Sequence, residues 1–282
     1  MIVNANAKIN LYLDIVGRRE DGYHLLETVM QSVTLSDILE ISTCDGNGIS
    51  LHCDAPHIPS DERNIAYKAA KRYLDLAGVS AQVMIDIQKR IPSGAGMGGG
   101  SADAAAVLLA MEKHFAALGM ERLTELAAEI GADVPFCLWG GTRICTGIGE
   151  IMAEAENAEG CCFLVVMPDF TCPTGEAYAK YDKAPIPPKN GLKEFAASLP
   201  DSFADKLYNS FEVLYADERI KEIKDRLMAS GAEGALLTGS GAAVFGVFGG
   251  REAAESAARE FPQYFTAICE PADKGVLISD KS

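Results

Sequence analysis

The sequence predicts an α+β protein of two units, residues 1–155 and 156–282. Helical and strand periodicities are mixed in both halves, without the regular strand–helix–strand alternation that a parallel sheet requires. A chain of 282 residues makes one large or two ordinary domains, and either buries a full core. The run EIMAEAENAEG (150–160) is acidic and Ala-rich between a Gly-rich strand and the next apolar strand, the composition of a connection between domains.

Each element is justified by its local pattern. Ile9, Leu11, Leu13 and Ile15 alternate with Lys8, Asn10, Tyr12 and Asp14, the period of a half-buried strand, so Lys8 and Asn10 share a face. VMQSVTLSDILEIST is a second β-rich stretch, and residues 44–60, with their Asp, Gly and Pro, read as a loop. Over 62–77, Ile65, Ala69, Tyr73 and Leu76 recur at helical spacing, with Asp61 as N-cap and Gly78 just past the end. Val83, Ile85 and Ile87 alternate in a strand that leads into Pro92 and the segment SGAGMGGGSADAA, from which a helix runs to about Leu118. ERLTELAAEI is a further helix stopped by Gly131, and Asp133 with Pro135 opens another. In the second half CCFLVVMP is a strand, TGEAYAKY the opening of a helix, and KAPIPPKNG a Pro-rich loop. Helical spacing returns over 202–229, GALLTGSGAAVFGVFGG reads as strand, Gly-rich turn and strand, 252–260 as a helix, and TAICEP as the final strand.

Composition excludes several classes. Forty acidic residues against 25 basic ones leave a net charge of −15, which argues against nucleic acid and against an anionic membrane surface as partners. A small anion remains compatible with such a chain, because converging backbone amides set the local field. The eight cysteines include no C-x-x-C, and MIVNANAKINLYLDIV lacks the basic start and cleavage site of a secretory signal. Reduced, mostly buried thiols in a cytoplasmic protein are expected. The longest uncharged stretch, 234–250, has 17 residues, short of the roughly 20 that span a bilayer. His52, His57 and His114 lack metal-ligand spacing, so no protein metal site is expected, and the charge selects no oligomeric state.

The densest chemical signal is IPSGAGMGGGSADAA (91–105), where a strand feeds a glycine-rich turn that opens onto a helix. Glycines permit positive φ and close approach of the backbone to a ligand, and the unpaired amides of the first helical turn face an incoming anion. Gly94, Gly96 and Gly99 spell G-x-G-x-x-G, but a dinucleotide fold is disfavoured. The segment lies about ninety residues in, and Glu112, the first carboxylate near the required ~20-residue offset, falls inside the helix. No Gly-Lys-Ser/Thr comes after the glycines, so the loop is not a Walker A motif.

This segment resembles the P-x-x-x-G-L-G-S/G-S-S/A signature of the GHMP kinases, the superfamily of galactokinase, homoserine kinase, mevalonate kinase and phosphomevalonate kinase, with Met97 where Leu is common. AKINLYLDI and LTGSGAAVFGVF (237–248) fit the same superfamily, and GRREDGYHLLETVMQSV with GADVPF resembles its branch acting on a cytidine-diphosphate-linked methylerythritol. The resemblance implies a ribosomal protein S5 domain 2-like, ATP-binding amino-terminal domain and a ferredoxin-like substrate domain, with the site between them. It also implies ATP-dependent phosphorylation of the acceptor's 2-hydroxyl, in the non-mevalonate isoprenoid route, with ATP and Mg²⁺ as cofactors and a small molecule as partner. Lys8 and Asp133 would be the catalytic pair, Asp133 taking the hydroxyl proton and Lys8 keeping that carboxylate ionised. Pro92, Ser93, Gly94, Ala95, Gly96, Met97, Gly98, Gly99, Gly100, Ser101 and Ala102 would cradle the nucleotide, with the Ser101 hydroxyl on phosphate or Mg²⁺. Asn10, Tyr23, His24 and Tyr178 would surround the acceptor and its cytosine.

Other readings stand beside this one. From position alone Lys8 is a solvated strand lysine, Asp133 an N-cap, Tyr23 and His24 turn residues, and Asp103 a complement to the helix dipole. A GHMP kinase with another alcohol as acceptor, a silent nucleotide-binding protein and a Rossmann-type oxidoreductase are the competing functions. Cytidine dependence, ATP turnover and NAD titration separate them.

Overall fold

The computed structural model describes residues 1–279. The first half carries β1 (Ile2–Arg18), β2 (His24–Cys44), β3 (Gly48–Cys53), α1 (Ile65–Ala77), β4 (Gln82–Gln88), α2 (Gly99–Phe115), α3 (Gly119–Ile130), α4 (Val134–Trp139) and the hairpin β5 (Thr142–Gly147) and β6 (Ile151–Glu154). The second carries β7 (Cys162–Met167), α5 (Thr174–Lys183), α6 (Leu192–Ala196), β8 (Tyr208–Asn209), α7 (Ser210–Tyr215), α8 (Glu218–Ala229), β9 (Gly234–Leu237), β10 (Val244–Phe248), α9 (Arg251–Ala258), β11 (Phe265–Cys269) and β12 (Val276–Ser279).

Two sheets organise these elements. The larger has the order β12-β1-β2-β4-β3, and the long β2 serves it twice, pairing β4 through residues 38–44 and β5 through residues 26–31. The smaller is antiparallel in the order β11-β7-β10-β9, with α8 before β9 and α9 after β10. This is the split βαβ arrangement of a ferredoxin-like fold, as expected.

The smaller sheet is covered on both faces. Phe163, Val165, Phe245 and Val247 join the core of the larger sheet, while Leu164, Val166, Val244 and Phe248 pack with Ile223, Leu227 and Ala254 of α8 and α9. That explains why CCFLVVM is a continuous apolar run. The apolar core therefore runs through the junction of the two sheets.

Several sequence expectations need correction. Strand β1 is buried on both faces from Ala5 to Ile15, because its polar face looks into a cleft between the sheets. Its alternation also breaks: a register shift between Asn10 and Tyr12 reverses the facing of the rest of the strand, as a bulge does. Ile9, Leu11 and Tyr12 pack in one core, and Leu13 and Ile15 in the other. Beyond the bulge the Asp14 carboxylate accepts from Asn190 N–H (2.8 Å) and Ser210 Oγ (3.1 Å), anchoring the Pro-rich loop. Residues 44–60 contain β3, which the turn residues at both its ends conceal. The N-cap of α1 is Asn64, whose side chain accepts from Ala66 N–H, while Asp61 binds Arg63. Helix α2 ends at Phe115 on the left-handed residue Ala116, and 202–229 is divided between β8, α7 and α8.

The chain also goes on past TAICEP into β12, which pairs residues 2–5 of β1. With β8 beside Tyr12 and Leu13, two segments of 156–282 thus lie in the larger sheet. Glycines permit the return: a Cβ on Gly275 would lie 1.8 Å from the Cys137 carbonyl oxygen, and one on Gly140 would lie 1.8 Å from the Gly275 nitrogen. All eight cysteines are free, five of them buried and Cys44 exposed. No helix among the described residues is long and apolar enough to cross a membrane.

The substitution Gly275→Ala forces β12 away from α4 and lowers the free energy of unfolding by about 1–3 kcal/mol, the usual range for overpacking. Urea denaturation checks this, and a change below about 0.5 kcal/mol counts against the close approach.

Candidate active site

Residues 92–98 leave β4, cross the cleft between the sheets and enter α2. Their carbonyls are taken up by the protein. Gly94 and Ala95 accept from Ala242 and Ala243 N–H (3.2 and 3.3 Å), Gly96 from the Thr238 hydroxyl (3.4 Å), Met97 from Lys8 N–H (3.0 Å), and Gly98 from Ala102 N–H in the helix (2.8 Å). In a trans peptide each N–H points opposite to the preceding C=O. The amides of residues 95–99 are therefore turned away from these bound carbonyls, at the positive end of α2. The path demands glycine: at φ 74°, a Cβ on Gly96 would sit 2.2 Å from the Thr238 carbonyl oxygen. At Gly98 it would press within 3.1 Å of Lys8 Cγ.

Lys8, Asn10, Tyr23, His24, Gly96, Gly98, Ser101, Asp133 and Tyr178 line one cavity of about 710 Å³. An adjoining cavity of about 270 Å³ is lined by Pro92 through Gly100, including Ser93, Ala95, Met97 and Gly99. Ala102 is buried in α2 and faces neither cavity; its amide is spent on the Gly98 carbonyl. The Met97 side chain, 1% exposed, is a core anchor for the loop.

Lys8 is held in place. Its Nζ donates to Asn10 Oδ1 (2.7 Å), Asn10 Nδ2 donates to Thr28 Oγ1 (2.9 Å), and Thr28 donates to the Tyr12 carbonyl (2.6 Å). Asn10 therefore orients the lysine in this conformation. Asp133 occupies the N-cap position of α4, yet its side chain makes no capping bond. Its Oδ2 lies 3.5 Å from Lys8 Nζ, with the carboxylate 37% exposed to the cleft and the lysine side chain 5% exposed. The helix start sets where Asp133 sits, and the lysine, not the helix, takes its charge.

At the far end of the larger cavity the Tyr178 ring stacks on His24, with centroids 4.5 Å apart and planes at 16°. His24 Nε2 is 2.8 Å from Asp182 Oδ1, and Arg18 lies 3.5 Å from the same oxygen. Tyr23 is 60% exposed at the rim, its ring unstacked. Asp182 was missed in the sequence, although it is four residues after Tyr178 and so on the same face of α5. Thr174 and Ser240, whose hydroxyls are 2.9 Å apart, also line this cavity and carried no local signal.

Cys137 and Cys145 are buried behind this site. Burial, with the nearby Asp133 charge, pushes the Cys145 thiol up to about 12 and Cys137 well above the usual thiol range, so neither supplies a nucleophile.

This geometry sets two expected outcomes. In a double-mutant cycle with Lys8→Met, which removes the ion pair, Asp133→Ala is expected to cost no more than about 0.5 kcal/mol, where loss of a capping side chain would still remove about 1 kcal/mol. Iodoacetamide at pH 8 alkylates Cys44 and spares Cys137 and Cys145 in the native protein, as read by peptide mass mapping.

The model for the GHMP kinases N terminal domain matches residues 64–141, and that for GHMP kinases C terminal matches residues 191–267. A 4-diphosphocytidyl-2-C-methyl-D-erythritol kinase of Clostridium tetani (strain Massachusetts / E88) is 40% identical over 275 residues, 95% of this chain and 98% of that protein. The kinase of the same name from Clostridium novyi (strain NT) is 42% identical over 255 residues, 88% of this chain and 91% of that one. A crystal structure of a 4-(cytidine 5'-diphospho)-2C-methyl-D-erythritol kinase superposes with a TM-score of 0.79 at 34% identity, covering 95% of this chain and 99% of that one. A homoserine kinase from Cytophaga hutchinsonii shares the fold at a TM-score of 0.77 and 17% identity, over 98% and 96% of the two chains.

Proposed function

The chain belongs to the GHMP kinases, in the branch of the 4-diphosphocytidyl-2-C-methyl-D-erythritol kinases, and we propose that its cleft transfers the γ-phosphoryl group of ATP to the 2-hydroxyl of 4-diphosphocytidyl-2-C-methyl-D-erythritol. The observation that carries this reading is the meeting of three features along one cleft: the outward amides of the glycine loop, the Lys8–Asp133 pair, and the aromatic end at His24 and Tyr178.

The amides of 95–99 and the Ser101 hydroxyl bind the nucleotide phosphates, and the smaller cavity takes the rest of the nucleotide. Asp133 accepts the proton of the acceptor hydroxyl as that oxygen attacks the γ-phosphorus. Lys8, fixed by Asn10 and 3.5 Å from the carboxylate, offsets the negative charge that grows on the attacking oxygen. Positioning and electrostatic stabilisation supply most of the acceleration, as is general for phosphoryl transfer. Among the described residues no group of three or more His, Cys, Asp or Glu is placed to hold a metal. Mg²⁺ would enter with the nucleotide, held through phosphate and water oxygens and neutralising phosphate charge.

The cytosine stacks against Tyr178 or Tyr23 and is read at its edge by His24, which Asp182 orients. Eight free thiols suit a reducing compartment, the cytoplasm.

A coupled ADP-release assay with Mg·ATP tests the reading against 4-diphosphocytidyl-2-C-methyl-D-erythritol, mevalonate, homoserine and no acceptor. Turnover is expected with the cytidylyl substrate alone. Asp133→Asn lowers kcat by about 10²–10⁴-fold. His24→Ala and Tyr178→Ala each raise the acceptor KM roughly tenfold and leave the KM for ATP unchanged. Preference for another alcohol, or full activity in Asp133→Asn, would falsify the assignment.

A further inference from the structure

A buried ionic cluster that the phosphoryl-transfer chemistry does not use lies beside the glycine loop. We propose that Asp37, Lys89 and Asp103 are positioning residues that clip the entry and exit of the loop together and thereby set its affinity for ATP; this rests on the loop being the nucleotide site.

The connections run across the base of the loop. Asp37 Oδ1 accepts from Arg90 N–H (2.6 Å) and Ile91 N–H (2.9 Å), the residues that lead into it. Asp37 Oδ2 accepts from Lys89 Nζ, and the same ammonium donates to Asp103 Oδ2 (2.7 Å) on the first turns of α2, where the loop ends. The two ends also touch: a Cβ on Gly99 would lie 3.1 Å from Ile91 Cγ2 and 3.4 Å from Lys89 Nζ. Between these fixed points the loop carries the amides of residues 95–99, so the separation of its ends sets how those amides are spaced.

Stability alone does not explain the cluster. Asp37 is 0% exposed, and one Asp103 oxygen, Oδ1, is buried with no hydrogen-bond partner among the described residues. Well-packed apolar residues commonly replace such buried ion groups with no loss of stability. Lys89 and Asp103 line the smaller cavity together with the loop, which places the group at the ligand and not in the distant core. Burial foremost, then the Asp37 charge, raises the Asp103 carboxyl against the pull of Lys89. The side-chain amide of asparagine keeps an oxygen in place to accept from Lys89.

The test is calorimetric titration of the full chain with Mg·ATP in the absence of acceptor, paired with steady-state kinetics. Asp103→Ala is expected to raise the Kd for ATP about tenfold or more, with kcat and the acceptor KM within about threefold of the parent, while Asp103→Asn restores parental affinity. Lys89→Met cuts both arms of the clip and weakens ATP more than Asp103→Ala does. Unchanged ATP affinity in folded Asp103→Ala overturns the clip. Equal losses for ATP and acceptor, unrelieved by Asp103→Asn, overturn it too, since they mark general loosening. Failure of the parent to bind Mg·ATP removes the nucleotide site itself and the clip with it, a result separate from those two.

Discussion

Five consecutive carbonyls of the glycine loop, at residues 94–98, are bound by the protein, and much else in the molecule is arranged to bind them. Strand β1 offers Lys8 N–H, the turn between β9 and β10 offers Ala242, Ala243 and Thr238, and α2 offers Ala102. The first lies in the larger sheet and the second at the end of the smaller one, so the loop is sewn to both. Its amides are then left for something other than these carbonyl partners. The glycines answer the same constraint, since backbone presses on backbone at Gly96 and on the Lys8 stem at Gly98.

The same constraint bears on how a chain of net charge −15 could take the anionic ligand proposed for its cleft. The local field there would come from the start of α2 and from the ammoniums of Lys89 and Lys8, the latter oriented through Asn10 and Thr28 to the backbone of β1. Carboxylates dispersed over the surface are screened at the distances involved. Asp133 lies within reach of that ammonium because α4 begins there, and it is left uncapped with its charge toward the cleft.

The fold was legible where a pattern belongs to one element. Val83, Ile85 and Ile87 alternate because β4 has one wet face, and Gly78 ends α1 in the left-handed conformation its position requires. It was illegible where a partner distant in sequence decides the outcome. Strand β3 is sustained by β4, and β12 by residues 2–5 of β1, neither of which is visible in the local composition. The alternation of β1 misled for a related reason, because a bulge against β2 exchanges its two faces after Asn10. At the cleft, the glycine segment and the motif residues were readable. Asp182 was within reach of helical periodicity, but the pairing of Lys89 with Asp37, 52 positions away, was not. Asp103 looked like a dipole complement because its location is local and its partners are not.

The return of β12 has a consequence for how the molecule is made. Residues 2–5 and the strand that pairs with their free edge, residues 276–279, are separated by almost the whole described chain. At a ribosomal rate of about 5–20 residues per second, the stretch between the two strands takes on the order of 15–60 s. Through that interval the first strand, already able to pair with β2, displays an unsatisfied hydrogen-bonding edge to the crowded surroundings of the nascent chain. The polar residues that β1 carries there, Asn4 and Asn6, and the shortness of that edge are what stand between a vacant strand and its pairing with a neighbouring polypeptide.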